Sequence, residues 1–345
     1  MYKKYTFDYK RFFKNFIIMI VFWSLLAVTV LGNHTDIQSE INDIQFGFED
    51  TPYDTDKEGH FLHALNMEEL MLQPEISGVE SIGVKLNITK EDLTKFSDLE
   101  YLKNNFYIVD KRTNLLPDDI RPEEFLAMNF SIDTKTKGPK VLIFHTHSQE
   151  TYVDSKSEAE GVWGVGEELK RLLEGKYNIE VLHHNGVYDK VDGKSQILGA
   201  YERMETDIRQ VLRENPSIEV VIDMHRDGVG ENVHLVEEIN GKPCAKIMFF
   251  NGLSRVYEKG VLTEIDSLRN TYLNDNLGLS FNLQLVANAF YPGLTRKVYI
   301  NAYRYSLHMK AKSILVEVGA QTNTYQEALN AMEPLSDILG EVLMK

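Results

Sequence analysis

Three groups of histidine and acidic residues stand at the ends of apolar runs that are typical of buried strands. His145 and His147 follow VLIF with Glu150 three residues further on, His225 lies in VVIDMHRD, and Glu317 follows SILV. Two imidazoles and one carboxylate are a common set of protein ligands for catalytic zinc, with water in the fourth position. A further carboxylate that does not bind the metal can take a proton from that water. The spacing therefore indicates a metal-dependent hydrolytic site.

These side chains can meet only if the strands that carry them are neighbours in one sheet. From residue 138 onward short apolar runs alternate with helical patterns, which predicts strands over 140–144, 179–182, 219–223, 298–300 and 313–318, and helices over 162–176, 195–215, 274–290 and 324–343. Strands separated by helical crossovers pair in parallel, so the pattern predicts an α/β fold. Ligands of such sheets bind at the carboxyl ends of the strands, where the histidine and acidic residues are expected to converge.

One segment departs from this alternation. Residues 233–239 and 245–250 flank Asn240-Gly241, which is a strong signal for a two-residue hairpin turn. We expect this hairpin to be an insertion after the third strand.

Composition excludes several classes of protein. The chain has 345 residues, a hydrophobic content of 43% and a net charge of −15. A phosphate backbone needs a basic protein surface, so we expect no nucleic-acid partner. Cys244 is the single cysteine, which excludes a disulfide framework and a thiolate-rich zinc site and favours a small buried side chain.

The N-terminal residues predict a membrane anchor. Residues 1–15 carry Lys3, Lys4, Lys10, Arg11 and Lys14 against one acidic residue, and the apolar run 16–31 follows. About 20 apolar residues span a bilayer, and basic flanks stay in the cytoplasm, so the rest of the chain is expected on the extracytoplasmic side of the cell membrane. A cleaved signal peptide and a buried core helix are the alternatives.

The chain is thus divided into four expected parts. Residues 1–32 form a cytoplasmic tip and anchor, 33–66 an acidic linker, 67–137 a small subdomain or packing arm, and 138–345 the domain with the candidate site. Within 67–137 we expect strands over 81–86 and 105–109 and a helix that is capped by Thr89.

The block 139–340 resembles the stage II sporulation protein P family of bacterial cell-wall hydrolases. The matching pieces are PKVLIFHTHSQETY, VGEELKRLLE, VVIDMHRDGV, NLGLSFNLQLVANAFYPGLTRKV and SILVEVGAQTNTYQEAL, in the family's order. That family is similar to the zinc N-acetylmuramoyl-L-alanine amidases, whose fold has a central, mostly parallel sheet flanked by helices. The resemblance implies Zn²⁺ as cofactor and peptidoglycan as substrate.

The resemblance also implies a biological setting. The expected reaction is cleavage of the amide between muramic acid and L-alanine during engulfment of the forespore, with sporulation proteins D and M as partners. Endopeptidase cleavage of peptide cross-links and a catalytically inactive, wall-binding adaptor are the alternatives that stay open.

Two residue roles follow directly from the resemblance. The amidases use His, Glu and His as zinc ligands and a second Glu as the base. His225 matches the later histidine, and Glu317 matches the base. His147 is favoured over His145 as the first histidine. His145 would then support the ligands without binding the metal itself.

The remaining roles have alternatives. Glu150 is favoured as the ligand carboxylate because it belongs to HTHSQETY, and Glu158 is the alternative. Arg296 and Arg226 are candidates for holding substrate carboxylates or a developing oxyanion, with Arg296 preferred. The chain departs from the amidases in having HTHS in place of a glycine-rich GHGG and a short segment between 152 and 162. His183 and His184, which no carboxylate follows closely, are expected at the surface.

Overall fold

The computed structural model describes residues 86–344. The predicted anchor, the acidic linker and most of the strand expected over 81–86 lie outside these residues. Within the described part, none of the helices has the length and apolar character needed to cross a bilayer.

A seven-stranded sheet forms the centre of the fold. Its strands in chain order are β1 (Tyr107–Val109), β2 (Val141–Phe144), β3 (Val181–His183), β4 (Val220–Asp227), β5 (Ile247–Gly252), β6 (Val298–Asn301) and β7 (Lys312–Ala320). Their order across the sheet is β1-β6-β5-β7-β4-β2-β3. In this sheet every pairing is parallel except that of β7 with β5. The predicted α/β fold with a mostly parallel sheet flanked by helices is confirmed.

Seven α-helices accompany the sheet in the described residues. They are α1 (Lys90–Phe96), α2 (Leu99–Asn105), α3 (Pro122–Ala127), α4 (Val162–Tyr177), α5 (Ala200–Glu214), α6 (Leu273–Phe290) and α7 (Tyr325–Leu343). Thr89 caps α1 as expected, and a reciprocal bond with Asp92 completes the capping box. Thr324 caps α7 in the same way with Glu327.

The two faces of the sheet have separate cores, and the strand period of two decides which residue faces which core. On β4, Val220, Ile222 and Met224 belong to the larger core, whereas Val221 belongs to the smaller core with residues of α5. Because successive side chains alternate between faces, Asp223 and His225 lie on the α5 face with Val221. The candidate site therefore lies on the α5 side of the sheet.

The antiparallel pairing of β5 corrects the expected hairpin. The hairpin is shorter than predicted, with strands Val236–Ile239 and Lys242–Ala245, and Asn240 and Gly241 turn it with φ of 52° and 75°. The second predicted arm instead continues as β5 and joins the main sheet beside β7. The connection from β4 to β5 contains no helix that could serve as a parallel crossover, so β5 enters the sheet in the opposite direction.

The described part of the 67–137 segment packs onto the same core as the rest of the fold. β1 is an edge strand of the main sheet, next to β6. Phe96, Phe106 and Phe125 surround the ring of Phe281 on α6 at centroid distances of 5.6, 5.7 and 5.9 Å. Cys244 is buried and free, as the sequence predicts.

Candidate active site

The three strands that carry the histidine and acidic residues are neighbours in the sheet. β4 lies between β2 and β7 and pairs in parallel with both. Glu317 of β7 is in register with His225 of β4. The expected convergence of these strand ends is therefore confirmed, and β4 runs on to Asp227 so that His225 lies within the strand.

His225 stands between two carboxylates. Its Nε2 lies 2.8 Å from Oδ1 of Asp223, and its Nδ1 lies 3.5 Å from Oε2 of Glu150. The ring of His147 is 5.3 Å from the ring of His225, and its Nδ1 is buried with no hydrogen-bond partner. Two ligands of one tetrahedral zinc lie about 3.3 Å apart, which is close to the separation of His225 and Glu150. His147, His225 and Glu150 are thus the candidate ligands.

The donors are near one another without forming a finished coordination sphere. Among residues 86–344, no three His, Cys, Asp or Glu side chains already stand in positions that would hold a metal ion together. The donor types and the orphaned nitrogen of His147 fit a zinc-type ion once Nδ1 of His225 and the carboxylate of Glu150 turn toward it.

Asp223 ties the two histidine-bearing strands together, and the sequence analysis did not single it out. The carboxylate is fully buried. It accepts hydrogen bonds from the backbone N–H of Thr146 at 2.9 Å, from the Thr146 hydroxyl at 2.7 Å and from Nε2 of His225. Metal-binding histidines commonly donate their second N–H to a carboxylate in this way. The signal was present in the sequence, since Asp223 and His225 are two residues apart on a strand and must share a face.

Negative charge is concentrated around the histidines. Burial alone would lower the pKa of His225, but Asp223 and Glu150 outweigh burial and raise the pKa well above its ordinary value. Burial favours a higher pKa for Asp223, yet His225 and Thr146 hold that pKa at about 2. The pKa of Glu150 is lowered because His225 and His147 outweigh the effect of burial. The negative charges of Asp223 and Glu150 thus stabilise a positive charge on the ring of His225.

Glu317 has the environment expected of a base that can hold a proton. Its side chain is buried, and its Oε2 has no hydrogen-bond partner. Burial raises the pKa of Glu317 to about 8, the charges of Asp227 and Glu150 add to the rise, and His225 opposes it. A carboxyl group with a pKa near neutral pH can both accept and donate a proton at physiological pH.

His145 has both ring nitrogens engaged away from these donors. Its Nδ1 lies 2.8 Å from the carbonyl oxygen of Met224, and its Nε2 lies 2.8 Å from Nε2 of His183. Burial lowers the pKa of His145 to about 3, so the ring is neutral. This geometry favours His147 as the ligand and leaves His145 as a brace between β2 and β4.

The expectation of a surface position for His183 is wrong. Its side chain is only 1% exposed, its Nδ1 contacts Glu167, and the ring of Trp163 stacks on it. The sequence could not reveal this because Glu167 and Trp163 come from α4, which packs over β3. His184 is half-buried and pairs with Asp207 at 2.9 Å.

The geometry also separates the two candidate carboxylates. Glu150 Oε2 accepts the backbone N–H of Arg226 at 2.9 Å, which holds it beside His225. Glu158 is exposed and pairs with Lys190 at 3.0 Å. Glu150 is thus the carboxylate that the fold brings to the histidines.

Both candidate arginines use part of the guanidinium to bind other groups of the protein. Arg226 donates from Nε to the carbonyl oxygen of Thr151 at 3.0 Å and from Nη1 to that of Asp227 at 3.1 Å. Arg296 is buried and forms an ion pair with the buried carboxylate of Asp227. Both guanidinium groups are therefore held by the protein, and a direct substrate contact stays a prediction for both. The charge of Asp227 raises the pKa of Glu317, and the charge of Arg296 opposes that rise.

Asp189 is a second residue that the sequence analysis missed. This buried carboxylate accepts hydrogen bonds from the Ser148 hydroxyl at 3.1 Å and from the backbone N–H of Gln149 at 3.0 Å. Both donors lie in the loop between His147 and Glu150. Asp189 therefore fixes the loop that sets the spacing of two candidate ligands.

Comparisons with known proteins agree with the family resemblance. The sequence model of the stage II sporulation protein P family matches residues 65–340. None of the curated proteins matches the chain.

Three solved structures of amidases resemble parts of the fold. The N-acetylmuramyl-L-alanine amidase Ami1 from Mycobacterium abscessus is 12% identical, with a TM-score of 0.31 over 60% of this chain and 97% of that one. Ami1 from Mycobacterium smegmatis is 12% identical, with a TM-score of 0.32 over 62% and 96%. The CwlD amidase from Clostridioides difficile, solved in complex with the GerS lipoprotein, is 12% identical, with a TM-score of 0.35 over 58% and 94%. At these TM-scores the similarity says nothing about what this chain binds or cleaves.

Proposed function

Because the chain belongs to the stage II sporulation protein P family, we propose that it is a zinc-dependent peptidoglycan hydrolase that cleaves the N-acetylmuramoyl-L-alanine amide. The observation that carries the proposal is the meeting of His147, His225 and Glu150 at neighbouring strand ends, with the buried Glu317 in register with His225.

His147, His225 and Glu150 would hold the metal ion. A zinc ion in such a site supplies Lewis-acid polarisation of the scissile carbonyl and makes a water molecule more acidic. Metal ligation needs neutral imidazoles and an ionised carboxylate, so His225 would serve as a ligand in its neutral form. Asp223 then accepts the remaining N–H of His225 and keeps the ring in its orientation.

Glu317 moves the proton in this reaction. Its carboxylate accepts a proton from the attacking water as the new C–O bond forms at the lactyl carbonyl. It then gives that proton to the leaving nitrogen of L-alanine, so the C–N bond breaks with a neutral amine as leaving group. The products are a glycan with a free lactyl carboxylate and a stem peptide with a free amino terminus.

The setting is part of the same proposal. Residues 16–31 would anchor the chain in the cell membrane and place the hydrolytic domain on the extracytoplasmic side. A protein with a net charge of −15 gains no electrostatic steering toward an acidic polymer. Recruitment by sporulation proteins D and M during engulfment would replace that steering.

Release of stem peptides from purified sacculi tests the proposal. The full-length protein in detergent, loaded with zinc, should release stem peptides and leave peptide-free glycan, and Glu317→Gln should reduce the rate by at least about 100-fold. Mass spectrometry of the products distinguishes an endopeptidase, which would leave peptide stubs on the glycan. Equal release by Glu317→Gln would refute the assigned mechanism. Zinc binding and sacculus binding without any release would indicate the wall-binding adaptor.

A further inference from the structure

A row of three tyrosines leads away from the candidate ligand His147. The ring of Tyr201 on α5 lies 5.6 Å from His147, and that of Tyr305 lies 5.4 Å from Tyr201. Tyr303 follows at 6.5 Å from Tyr305. All three tyrosines are half-buried, so part of each one is open to solvent. We call Tyr201, Tyr305 and Tyr303 the tyrosine row.

The backbone at the middle of the row is strained. Tyr305 has a φ of 52°, in the left-handed region that a residue with a large side chain rarely adopts. Its carbonyl oxygen lies 3.0 Å from Nδ1 of His308, and its ring packs edge-on against Phe250 at 4.8 Å. Strained residues cluster at ligand-binding and catalytic sites, where the strain fixes a side chain in a needed position.

The cations beside the row are already neutralised by carboxylates. The guanidinium of Arg112 lies 5.7 Å from the ring of Tyr303 and binds Asp110 at 2.7 Å. Arg304 binds Glu205 at 2.8 Å. The row thus offers ring surface without an uncompensated positive charge. Such a surface does not suit a stem peptide, which carries carboxylates.

The chemistry of the row suits a sugar. Tyr201, Tyr305 and Tyr303 each combine an aromatic ring with a phenolic hydroxyl. A pyranose ring has apolar C–H faces that pack on aromatic rings, and its hydroxyls can bond with phenolic O–H groups.

We propose that the tyrosine row binds the glycan strand of peptidoglycan and so places the muramic acid side of the scissile amide at His147. This inference rests on the proposed function, because it takes peptidoglycan as the substrate. The stem peptide would then leave the site by a path that does not follow the row.

Binding of the two halves of the substrate tests this inference. The full-length protein in detergent carries Glu317→Gln to prevent turnover, and the Kd is measured for peptide-free glycan strands and, separately, for free stem peptide. Tyr305→Asn removes the ring and keeps a residue that tolerates positive φ, and Tyr201→Leu removes the ring on a helix. Tyr201→Phe keeps the ring, and Phe290→Ala removes an aromatic residue that is 53% exposed at the end of α6.

We expect Tyr305→Asn and Tyr201→Leu to weaken glycan binding about tenfold or more, which is the scale of one lost aromatic contact. Tyr201→Phe should retain most of the affinity, Phe290→Ala should retain all of it, and stem-peptide binding should not change. Zinc content and Tm, measured on each variant, identify a variant that has lost its fold or its metal. If either ring variant fails to fold, the other carries the test.

Three results would overturn the inference: no glycan binding by the Glu317→Gln parent, unchanged glycan binding in a folded ring variant, or loss of stem-peptide binding in its place. Stem-peptide release by the wild type together with unchanged glycan binding in Tyr305→Asn would defeat the tyrosine row alone. Glycan binding through the row without any release by the wild type would defeat the hydrolase alone.

Discussion

Asp223→Asn separates the charge of the buried carboxylate from its shape. The wild-type carboxylate has a pKa of about 2, so it is ionised in any neutral assay. An asparagine oxygen in the place of Oδ1 can still accept from Thr146 N–H and His225, which bond at 2.9 and 2.8 Å. The amide nitrogen would take the place of Oδ2, where the Thr146 hydroxyl can rotate and accept. The hydrogen-bond pattern survives, and the negative charge behind His225 is lost.

The expected effect is on metal affinity more than on folding. Loss of the carboxylate behind a metal-binding histidine typically weakens binding about 10- to 100-fold, or about 1.4–2.7 kcal/mol. The assay is zinc titration against a competing chelator at pH 7.5, with Tm of the metal-free protein measured in parallel. Asp207→Asn is the matched control, because Asp207 also pairs with a histidine, His184, at 2.9 Å but lies in α5. A zinc Kd that stays within about twofold of wild type in folded Asp223→Asn would refute the assignment of His225 as a ligand.

Three further predictions concern stability. Burial would raise the pKa of Glu205, but Arg209, His308 and Arg304 hold it at about 2, so its contribution is present above the ordinary pKa of 4.5 and is lost as the pH falls toward 2. The free energy of unfolding of Glu205→Gln should therefore fall furthest below wild type above about pH 5 and converge with it near pH 2, in denaturant titrations across that range. Gly319→Ala should lower the free energy of unfolding by about 1–3 kcal/mol and reduce activity. Gly319 has a φ of 61°, and an added Cβ would lie 2.8 Å from the Cβ of Ala245. An unchanged Tm would contradict this prediction. Phe281→Ala should lower the free energy of unfolding by about 3–5 kcal/mol and increase proteolysis within residues 90–127. The ring of Phe281 is buried among three phenylalanines of that segment. Protease resistance equal to that of the wild type would show that the segment folds independently.

The sequence predicts the framework of the site because buried parallel strands have a simple signature. Continuous apolar runs such as VLIF and VVI are typical of parallel strands that are covered on both faces of the sheet. Residues just after such runs must then gather at one edge of the sheet, which is why His147, Glu150 and Glu317 could be brought together before the fold was known. The convergence of β2, β4 and β7 follows from this reasoning.

The remaining features depend on contacts between distant segments. Asp189 acts on Gln149 from 40 positions along the chain, and Trp163 covers His183 from a helix. The guanidinium of Arg296 reads as available in the sequence, yet Asp227 lies where only the folded sheet can bring it. β5 runs antiparallel to β7 because a hairpin, and not a helix, precedes it. The alternation of predicted strands and helices does not reveal this direction. Partners of this kind are set by packing and not by local pattern.

The central claim is that His147, His225 and Glu150 hold one metal ion beside Glu317. Zinc-soaked crystals of residues 86–345 can be measured at the zinc absorption edge, and an anomalous difference map then locates the bound ion. We expect one dominant peak at about 2.0–2.2 Å from a nitrogen of each histidine and an oxygen of Glu150. A fully soaked crystal with no peak there, or with its peak between His145 and His183, would contradict it.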